Sequence, residues 1–385
     1  MNNKRAQTVQ AWQETVTLPT YTPPAPDANP MFLEKRVNQG TKGRVYPNPF
    51  RDGLAKESEP KDYQAVYLEN EYLRLMMLPE IGGRIHEALD KTNGYHFIYR
   101  QHVIKPALIG LFGAWVSGGM EFNWPQHHRP STFMPVHHTI ETHEDGSATV
   151  WLSENDPMQR MKGMVGLCLR PGKAFFEMKV QLFNRTPEVR TFLWWINAGV
   201  HVHDRYQVVF PQDVTVVTDH SKRSMAHYPV ADGTYYGIDY GEKEGGTDIS
   251  WVKNIPVPTS YFVWDTGYDF FGGYDHKADA GIIHVANRHI APGKKMFTWG
   301  FGEFGKGWEA NLTDADGPYI ELMAGVYTDN QPDFSWLQPY ETKTFSQFWY
   351  PVREIGPAKN ANRRAAVNLE VEAGGAKVGV AVTEV

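Results

Sequence analysis

The sequence predicts an all-β protein built as a large antiparallel sandwich. Apolar and polar residues alternate in short segments such as "AFFEMKVQLFNRT" (174–186), which is typical of strands with one buried face. Turn residues separate these segments roughly every 8–12 residues from about Tyr63 onward. Almost no segment keeps helical periodicity for three turns. Many short strands joined by turns favour two packed sheets.

The chain divides into three parts by composition. Residues 1–60 are rich in Pro and polar side chains, so we expect an extended N-terminal arm packed on the main domain. Residues 61–355 form the predicted sandwich. Residues 356–385 lose the aromatic side chains and contain two plausible strands, which indicates a linker and the start of a second β module whose remainder is missing.

Bulk composition excludes several classes of protein. The net charge of −6 gives no reason to expect a nucleic-acid partner. No apolar run approaches the roughly 18 residues of a membrane span, and the N-terminus has no apolar signal region. The single cysteine, Cys168, has apolar neighbours and cannot form a disulfide within the chain. A reducing, cytoplasmic setting is therefore expected.

The aromatic content is high, at 13% with 12 Trp and 19 Tyr, so some of these rings need an explanation. Flat aromatic faces stack against the C–H surfaces of sugars, while a large β core uses the same side chains as filling. Composition leaves both explanations open.

The segment "GGMEFNWPQHHRP" (118–130) combines many hydrogen-bonding groups with aromatic rings. Sugar hydroxyls both donate and accept, so a sugar site needs such a mixture beside aromatic walls. The alternative is that Glu121 and Arg129 pair and the histidines fill space. The candidate site residues here are Glu121, Asn123, Trp124, His127, His128 and Arg129.

The strand segment "FLWWINAGVHVHDRY" places Trp195, Asn197 and His201 on one face, because alternate residues share a face. Three interpretations stay open for this face. The pair His201 and His203 could chelate a metal as in cupin-type jelly rolls, Asn197 and His201 could bind or protonate a sugar, or the histidines could be structural.

Glu321 lies mid-strand between Ile320 and Leu322, where a carboxylate is costly unless it is paired. Such a carboxylate is a candidate general base, with a buried ion pair as the alternative. Further candidates are Gln331 in "TDNQPDF", Arg84 after a glycine pair and Asp275 in "FFGGYDHKADAG".

Several motifs are absent from the sequence. It contains no H-E-x-x-H, G-x-S-x-G, Walker or Rossmann motif. Covalent catalysis by Ser or Cys and nucleotide chemistry are therefore not expected. We expect no metal and no cofactor.

Five segments together resemble one bacterial family of unknown function. They are "LENEYLRLMMLPEIGGRI", "VIKPALIGL", "SGGMEFNWPQHHRPSTF", "FLWWINAGVHV" and "GPYIELMAGVYTDNQPDF", and the likeness covers roughly residues 10–360. The resemblance implies a β-supersandwich similar to galactose mutarotase (aldose 1-epimerase), commonly followed by further β sequence and tetratricopeptide repeats. A downstream repeat domain is thus an expected partner in a longer protein. The fold hosts epimerases, lyases, hydrolases and binding domains, so its chemistry needs separate evidence.

The resemblance assigns roles unevenly. It implies that Glu321 is the base that removes the anomeric hydroxyl proton and that Arg84 contacts the substrate. His127 or His128 takes the place of the first mutarotase histidine, without the "LHGG"-type surroundings. Leu193 and Trp194 stand where the second histidine, the acid toward the ring oxygen, is expected.

The sequence therefore predicts a carbohydrate-active protein that performs acid/base chemistry at the anomeric centre, as a glycoside hydrolase or an aldose epimerase. Glu321 is the predicted base or nucleophile, and Glu121 or His201 the acid. The predicted sugar-binding residues are Arg84, Asn123, Trp124, His127, His128, Arg129, Trp195, Asn197, Asp275 and Gln331. The alternatives are a non-catalytic carbohydrate-binding module of a repeat protein and a metal-dependent cupin-like enzyme.

Overall fold

The computed structural model describes residues 8–26, 47–220, 224–327 and 335–384. Strands dominate these ranges, and the predicted all-β fold is confirmed. The described residues also contain one α-helix, α1 (Glu303–Leu312), and short 3-10 turns at Pro130–Phe133 and Val252–Asn254.

The strands follow one another along the described chain with short connections. In order they are β1 (Gln10–Thr20), β2 (Glu59–Glu69), β3 (Leu73–Leu78), β4 (Arg84–Asp90), β5 (Tyr95–His96), β6 (Pro106–Gly110), β7 (Gly113–Val116), β8 (Met120–Asn123), β9 (His137–Thr142), β10 (Ala148–Asn155), β11 (Lys162–Leu169), β12 (Phe176–Phe183), β13 (Arg190–Phe192), β14 (Trp194–His201), β15 (Tyr206–Val209), β16 (Val216–Thr218), β17 (Met225–His227), β18 (Val230–Ala231), β19 (Thr234–Tyr235), β20 (Ile238–Asp239), β21 (Thr247–Asp248), β22 (Thr259–Val263), β23 (Phe270–Asp275), β24 (Ala280–Ala286), β25 (Gly293–Thr298), β26 (Tyr319–Val326), β27 (Ser335–Leu337), β28 (Thr342–Arg353), β29 (Asn360–Ala361), β30 (Ala365–Glu372) and β31 (Gly375–Val382).

Two large antiparallel sheets carry the fold. Within the described ranges the larger has twelve strands in the order β1-β2-β3-β4-β8-β14-β26-β25-β22-β16-β17, with β5 paired to β4. The smaller has eight strands in the order β15-β23-β24-β28-β12-β11-β10-β9. Strands distant in sequence, such as β8, β14 and β26, thus become neighbours in the middle of the larger sheet.

The main core lies between the two sheets. Strand β12 shows why, because its residues alternate between buried and half-buried positions along its whole length. Its inward side chains, Phe176, Met178, Val180 and Leu182, belong to the same apolar cluster as Ile196 of β14. Burying one side chain of this size contributes about 1.5–3 kcal/mol, so these alternating positions hold the sheets together.

Both ends of the described chain pair with the sandwich or pack on it. Strand β1 pairs with β2 from Gln10 to Thr20. The hairpin β30–β31 joins β29 in a small sheet, and Ala174 N donates to Thr383 O at 2.7 Å. Lys173 also forms an ion pair with Glu384. The domain limits at residues 60 and 355 stay predictions.

Candidate functional site

A single row of opposed residues defines the face of the larger sheet that points away from the sandwich core. Glu121 on β8 lies opposite Asn197 on β14, and Asn197 lies opposite Met323 on β26. Met323 in turn lies opposite Lys295 on β25. Directly opposed residues point to the same side of a sheet, so these side chains share one surface, called the site face below.

Glu321 belongs to the site face because it lies two residues from Met323 on β26. Its side chain is buried, and its Oε1 accepts a hydrogen bond from the Tyr319 hydroxyl at 2.8 Å. Burial raises the pKa of Glu321 above its usual range, although the nearby His128, Tyr319, Lys295 and Asn197 oppose the shift. A carboxylate in this setting accepts a proton readily.

Glu121 has the opposite electrostatic setting. Its Oε2 accepts from Trp115 Nε1 at 3.0 Å and lies 2.9 Å from His128 Nδ1. Its Oε1 accepts from the Thr132 hydroxyl. Burial alone would raise the pKa of Glu121, but His128, Arg84 and Thr132 hold it well below its usual range. Glu121 therefore stays ionised, and its oxygens are occupied by the protein's own donors.

Two glycines explain how β8 brings Glu121 to this position. Gly118 and Gly119 have φ values of 74° and 59°, in the left-handed region that glycine tolerates best. A Cβ at Gly119 would lie 2.4 Å from Ile85 O, so only glycine allows this close approach. Arg84 stabilises the same turn, because its guanidinium donates to Val116 O at 2.6 Å and to Gly118 O.

A second buried chain of polar groups reaches the site face from β25 and β22. Lys295 Nζ lies 2.7 Å from His220 Nε2, and His220 Nδ1 lies 2.8 Å from Ser260 Oγ. Burial lowers the pKa of Lys295 to about 7, with Glu321 opposing the shift. The sequence interpretation missed Lys295 and His220. Their local sequences carry no signal like that of Glu321, because Lys295 directly follows Lys294 in "GKKMFT" and His220 lies in the polar segment "TDHSKR", outside the strands.

Three buried polar atoms on the site face have no hydrogen-bond partner among the described residues. They are Asn123 Nδ2, Trp195 Nε1 and Asn197 Oδ1. Asn123 and Trp195 are directly opposed on β8 and β14, and Asn197 follows Trp195 by two residues. Buried polar groups normally find partners. Two donors and one acceptor this close together suit the hydroxyl groups of a ligand.

His128 lies within this arrangement, whereas Trp124 does not. The His128 ring is buried against Trp195 at 4.8 Å between centroids and against Trp115 at 5.4 Å. Trp124 belongs to the core between the sheets, where it contacts Phe192 edge-on at 6.4 Å. It does so because it follows Asn123, which points to the site face. The assignment of Trp124 to sugar binding is therefore corrected.

Two other residues of the same loop point elsewhere. Arg129 donates to Gly82 O and pairs with Glu154 at 3.1 Å, so its guanidinium joins the loop to β10. Its backbone N–H donates to Asn123 Oδ1 at 3.0 Å. His127 is exposed and has a φ of 49°. Arg129 thus holds the side chain of Asn123 in place through its backbone N–H. No described contact joins His127 to the site face.

The remaining predicted residues lie at the end of β14, on the smaller sheet or outside the described ranges. The His201 ring stacks on Tyr99 at 6.0 Å, and its described contacts include neither carboxylate of the site face. Asp275 lies on the smaller sheet, where its Oδ1 is 2.8 Å from His203 Nε2 and accepts the backbone N–H of Lys277. Asp275 is therefore not brought to the site face. Gln331 lies outside the described residues.

The described ranges contain neither a metal-binding cluster nor a helix that could span a membrane. No three His, Cys, Asp or Glu side chains there come together as a metal-binding group. No helix in the described part of the chain is long and apolar enough to cross a membrane.

The two-sheet fold is similar to that of galactose mutarotase-like proteins. A galactose mutarotase-like protein from Clostridium acetobutylicum shares 11% identity, with a TM-score of 0.50 over 76% of this chain and 96% of that one. The chain belongs to the family described as a domain of unknown function, DUF5107, whose sequence profile matches residues 41–352. The family resemblance of the sequence is thereby confirmed.

A longer protein contains a similar chain. A TPR-domain containing protein from Parabacteroides distasonis ATCC 8503 is 24% identical, with a TM-score of 0.76 over 90% of this chain. The match covers 56% of that protein, so the present chain spans little more than half of its length. At this level of identity the similarity concerns the fold.

Proposed function

We propose that this protein interconverts the anomers of a sugar bound on the site face, as an aldose 1-epimerase does. Glu321 removes the proton of the anomeric hydroxyl, and His128 gives a proton to the ring oxygen. The ring then opens, the C1–C2 bond rotates, and closure reverses both proton transfers. The proposal rests on the contrast between the two carboxylates. Both oxygens of Glu121 are occupied by Trp115, His128 and Thr132, whereas Glu321 accepts from Tyr319 and burial raises its pKa.

The contacts of Glu121 favour epimerisation over glycoside hydrolysis. Hydrolysis by two carboxyl groups needs a protonated acid and a second, ionised carboxylate whose oxygens are free to act as the nucleophile or the base. Glu121 is ionised and accepts from Trp115 and Thr132 besides its contact with His128. It is therefore proposed as a positioning residue that holds His128 by Nδ1 and leaves Nε2 for the substrate.

The polar atoms without partners supply the proposed sugar contacts. Asn123 Nδ2 and Trp195 Nε1 donate to hydroxyl groups, and Asn197 Oδ1 accepts from one. Arg84 is not proposed as a direct ligand, because its guanidinium already donates to Val116 O and Gly118 O. Its charge instead stabilises Glu121 as an anion.

A second candidate is a non-catalytic sugar-binding module within a repeat protein. The similarity to part of a TPR-domain containing protein favours it, because there a comparable domain occupies about half of a longer chain. Both candidates use the same site face. They differ in whether Glu321 transfers a proton.

Polarimetry on freshly dissolved α-D-glucose and α-D-galactose distinguishes the two candidates. The wild type is expected to accelerate equilibration over buffer, and Glu321→Gln to reduce the rate constant by about 10²–10⁴-fold. Glu177→Gln is the matched control, because Glu177 is a half-buried, ion-paired carboxylate on the smaller sheet. Wild-type rates equal to buffer, or full activity in Glu321→Gln, would contradict the catalytic proposal.

A further inference from the structure

A pocket lies beside the site face, between α1 and the adjoining ends of β25 and β26. Its volume is about 140 Å³. Aromatic side chains form much of its wall, with a carboxylate and a hydroxyl among the polar groups. The lining includes Tyr99, Trp299, Phe301, Glu309, Thr313 and Tyr319. This space is called the helix pocket.

The helix pocket shares a wall with the proposed catalytic group. Tyr319 lines the pocket, and its hydroxyl donates to Glu321 Oε1 at 2.8 Å. Trp299 Nε1 lies 3.4 Å from the same hydroxyl, and the Tyr99 ring stacks on Tyr319 at 5.1 Å. Residues two apart on a strand are separated by about 7 Å. Tyr319 therefore contacts both the helix pocket and Glu321, and a ligand in the pocket lies one side chain away from the proposed catalytic group.

The pocket is held open by packing within the protein. Lys105 Nζ donates to Ala310 O at 2.9 Å and to Thr313 O at 3.2 Å, which anchors the last turn of α1. At the other end of the helix, a Cβ at Gly305 would lie 1.8 Å from Gly300 O. The Trp299 indole is stacked on Trp308 at 4.1 Å with an interplanar angle of 16°. Little ordering is therefore needed when a ligand enters.

The lining suits a sugar ring. An aromatic face covers the C–H surface of a pyranose, while a carboxylate and a hydroxyl at its edge bind the sugar hydroxyls. Glu309 supplies the carboxylate, which has no ion-pair partner in the part of the chain that the structure describes. Glu303, near the start of the same helix, is instead exposed and paired with Lys306 at 2.7 Å.

We propose that the helix pocket binds a second sugar residue, so that the substrate is a reducing oligosaccharide. Its reducing-end residue lies on the site face beside Glu321, and the next residue stacks within the pocket. This inference rests on the proposed function and names its substrate class. The reducing end stays free, so the anomeric hydroxyl remains available to Glu321.

Calorimetric titration of the Glu321→Gln protein tests the subsite without turnover. The probes are maltose, cellobiose and lactose, compared with glucose and galactose. At least one disaccharide is expected to bind about tenfold more tightly than its reducing-end monosaccharide, as one added stacking contact allows. Adding Glu309→Ala is expected to remove most of that preference, while adding Glu303→Ala, the matched control on the same helix, retains it.

A Trp299→Ala variant provides the second measurement, with circular dichroism to verify folding. It is expected to lose the disaccharide preference and to keep the affinity for the monosaccharide. If Trp299→Ala fails to fold, Glu309→Ala decides the question, because Glu309 is half-exposed on the helix and alanine favours helix.

The outcomes separate the subsite from the catalytic proposal. Equal affinity for disaccharides and monosaccharides, with wild-type anomerisation observed, overturns the subsite and leaves the function in place. A disaccharide preference that depends on Glu309, without anomerisation, supports the subsite and overturns the epimerase. A protein that binds none of these sugars overturns both.

Discussion

His128 Nδ1 lies 2.9 Å from Glu121 Oε2, and this contact separates the roles of the two carboxylates on the site face. Glu121 is saturated by donors and ionised, so it orients the imidazole. Glu321 accepts from Tyr319 and has a raised pKa, so it can take and release a proton.

The first prediction concerns Glu121→Gln. An amide of the same shape removes the charge that His128 and Arg84 face in a buried setting. We expect the free energy of unfolding in urea to fall by about 3–5 kcal/mol at pH 7. The exposed Glu141→Gln serves as the control and is expected to change it little.

The same variant has a pH signature. The pKa of Glu121 is lower in the folded protein than its ordinary value of 4.5, so its stabilisation is present above that value. It is lost as the pH falls below it, when the folded protein must protonate a group that prefers to be ionised. Glu121→Gln should therefore flatten the acid limb of the stability curve. An unchanged acid limb would contradict the assigned ionisation.

The second prediction compares two histidines. His128→Gln is expected to slow anomerisation by about 10²–10⁴-fold, because it removes the proposed acid. His201→Gln should retain most of the activity, because the described contacts of His201 are with the Tyr99 and His203 rings and the Asp316 backbone, not with Glu321 or Glu121. Polarimetry at pH 7 measures both. The reverse order of effects would assign the acid to His201.

The third prediction concerns Lys295→Met. Burial lowers the pKa of Lys295 from 10.5 to about 7, so between these values the unfolded chain binds the additional proton. Stability therefore increases with pH across that window and is lowest below it. At pH 6 we expect Lys295→Met to raise the free energy of unfolding by about 2–4 kcal/mol. This is less than the full pKa shift of Lys295 implies, because the substitution also removes a cation near Glu321.

Urea unfolding at pH 6 and pH 10 provides that test. The gain should shrink towards pH 10, where the lysine is neutral in the folded protein. The exposed Lys306→Met is the control and should show no such gain. A destabilised Lys295→Met at pH 6 would contradict the unfavourable burial of the ammonium group.

The fourth prediction concerns Trp124→Leu. Trp124 fills the core between the sheets, where a Cβ added at Gly163 would lie 2.2 Å from its Nε1. The smaller side chain is expected to cost about 2–4 kcal/mol of unfolding free energy through the cavity it leaves. Sugar affinity of the folded fraction, measured by calorimetry, should stay unchanged. A selective loss of affinity would return Trp124 to the binding site.

Local sequence patterns were sufficient to predict the strands and to single out Glu321, a strand residue whose burial costs free energy. Alternation along β12 and β14 predicts a buried face, and the mid-strand carboxylate of Glu321 signals a function because burial penalises its charge. The same alternation, applied between Asn123 and Trp124, assigns the tryptophan to the core. Treating residues 118–130 as one unit hides this alternation and assigns Trp124 to sugar binding, whereas its side chain packs between the sheets.

The amino-acid sequence by itself determined the all-β class and the family, and it made Glu321 and Glu121 candidates for the site, because strand periodicity and a charged residue within a strand are local properties. Only the tertiary structure decided which residues act together. The register of β8, β14, β26 and β25 places Glu121, Asn197 and Lys295 in one row, and the sequence does not state which strands become neighbours. The low pKa of Glu121 and the wall that Tyr319 shares with the helix pocket arise from these long-range contacts.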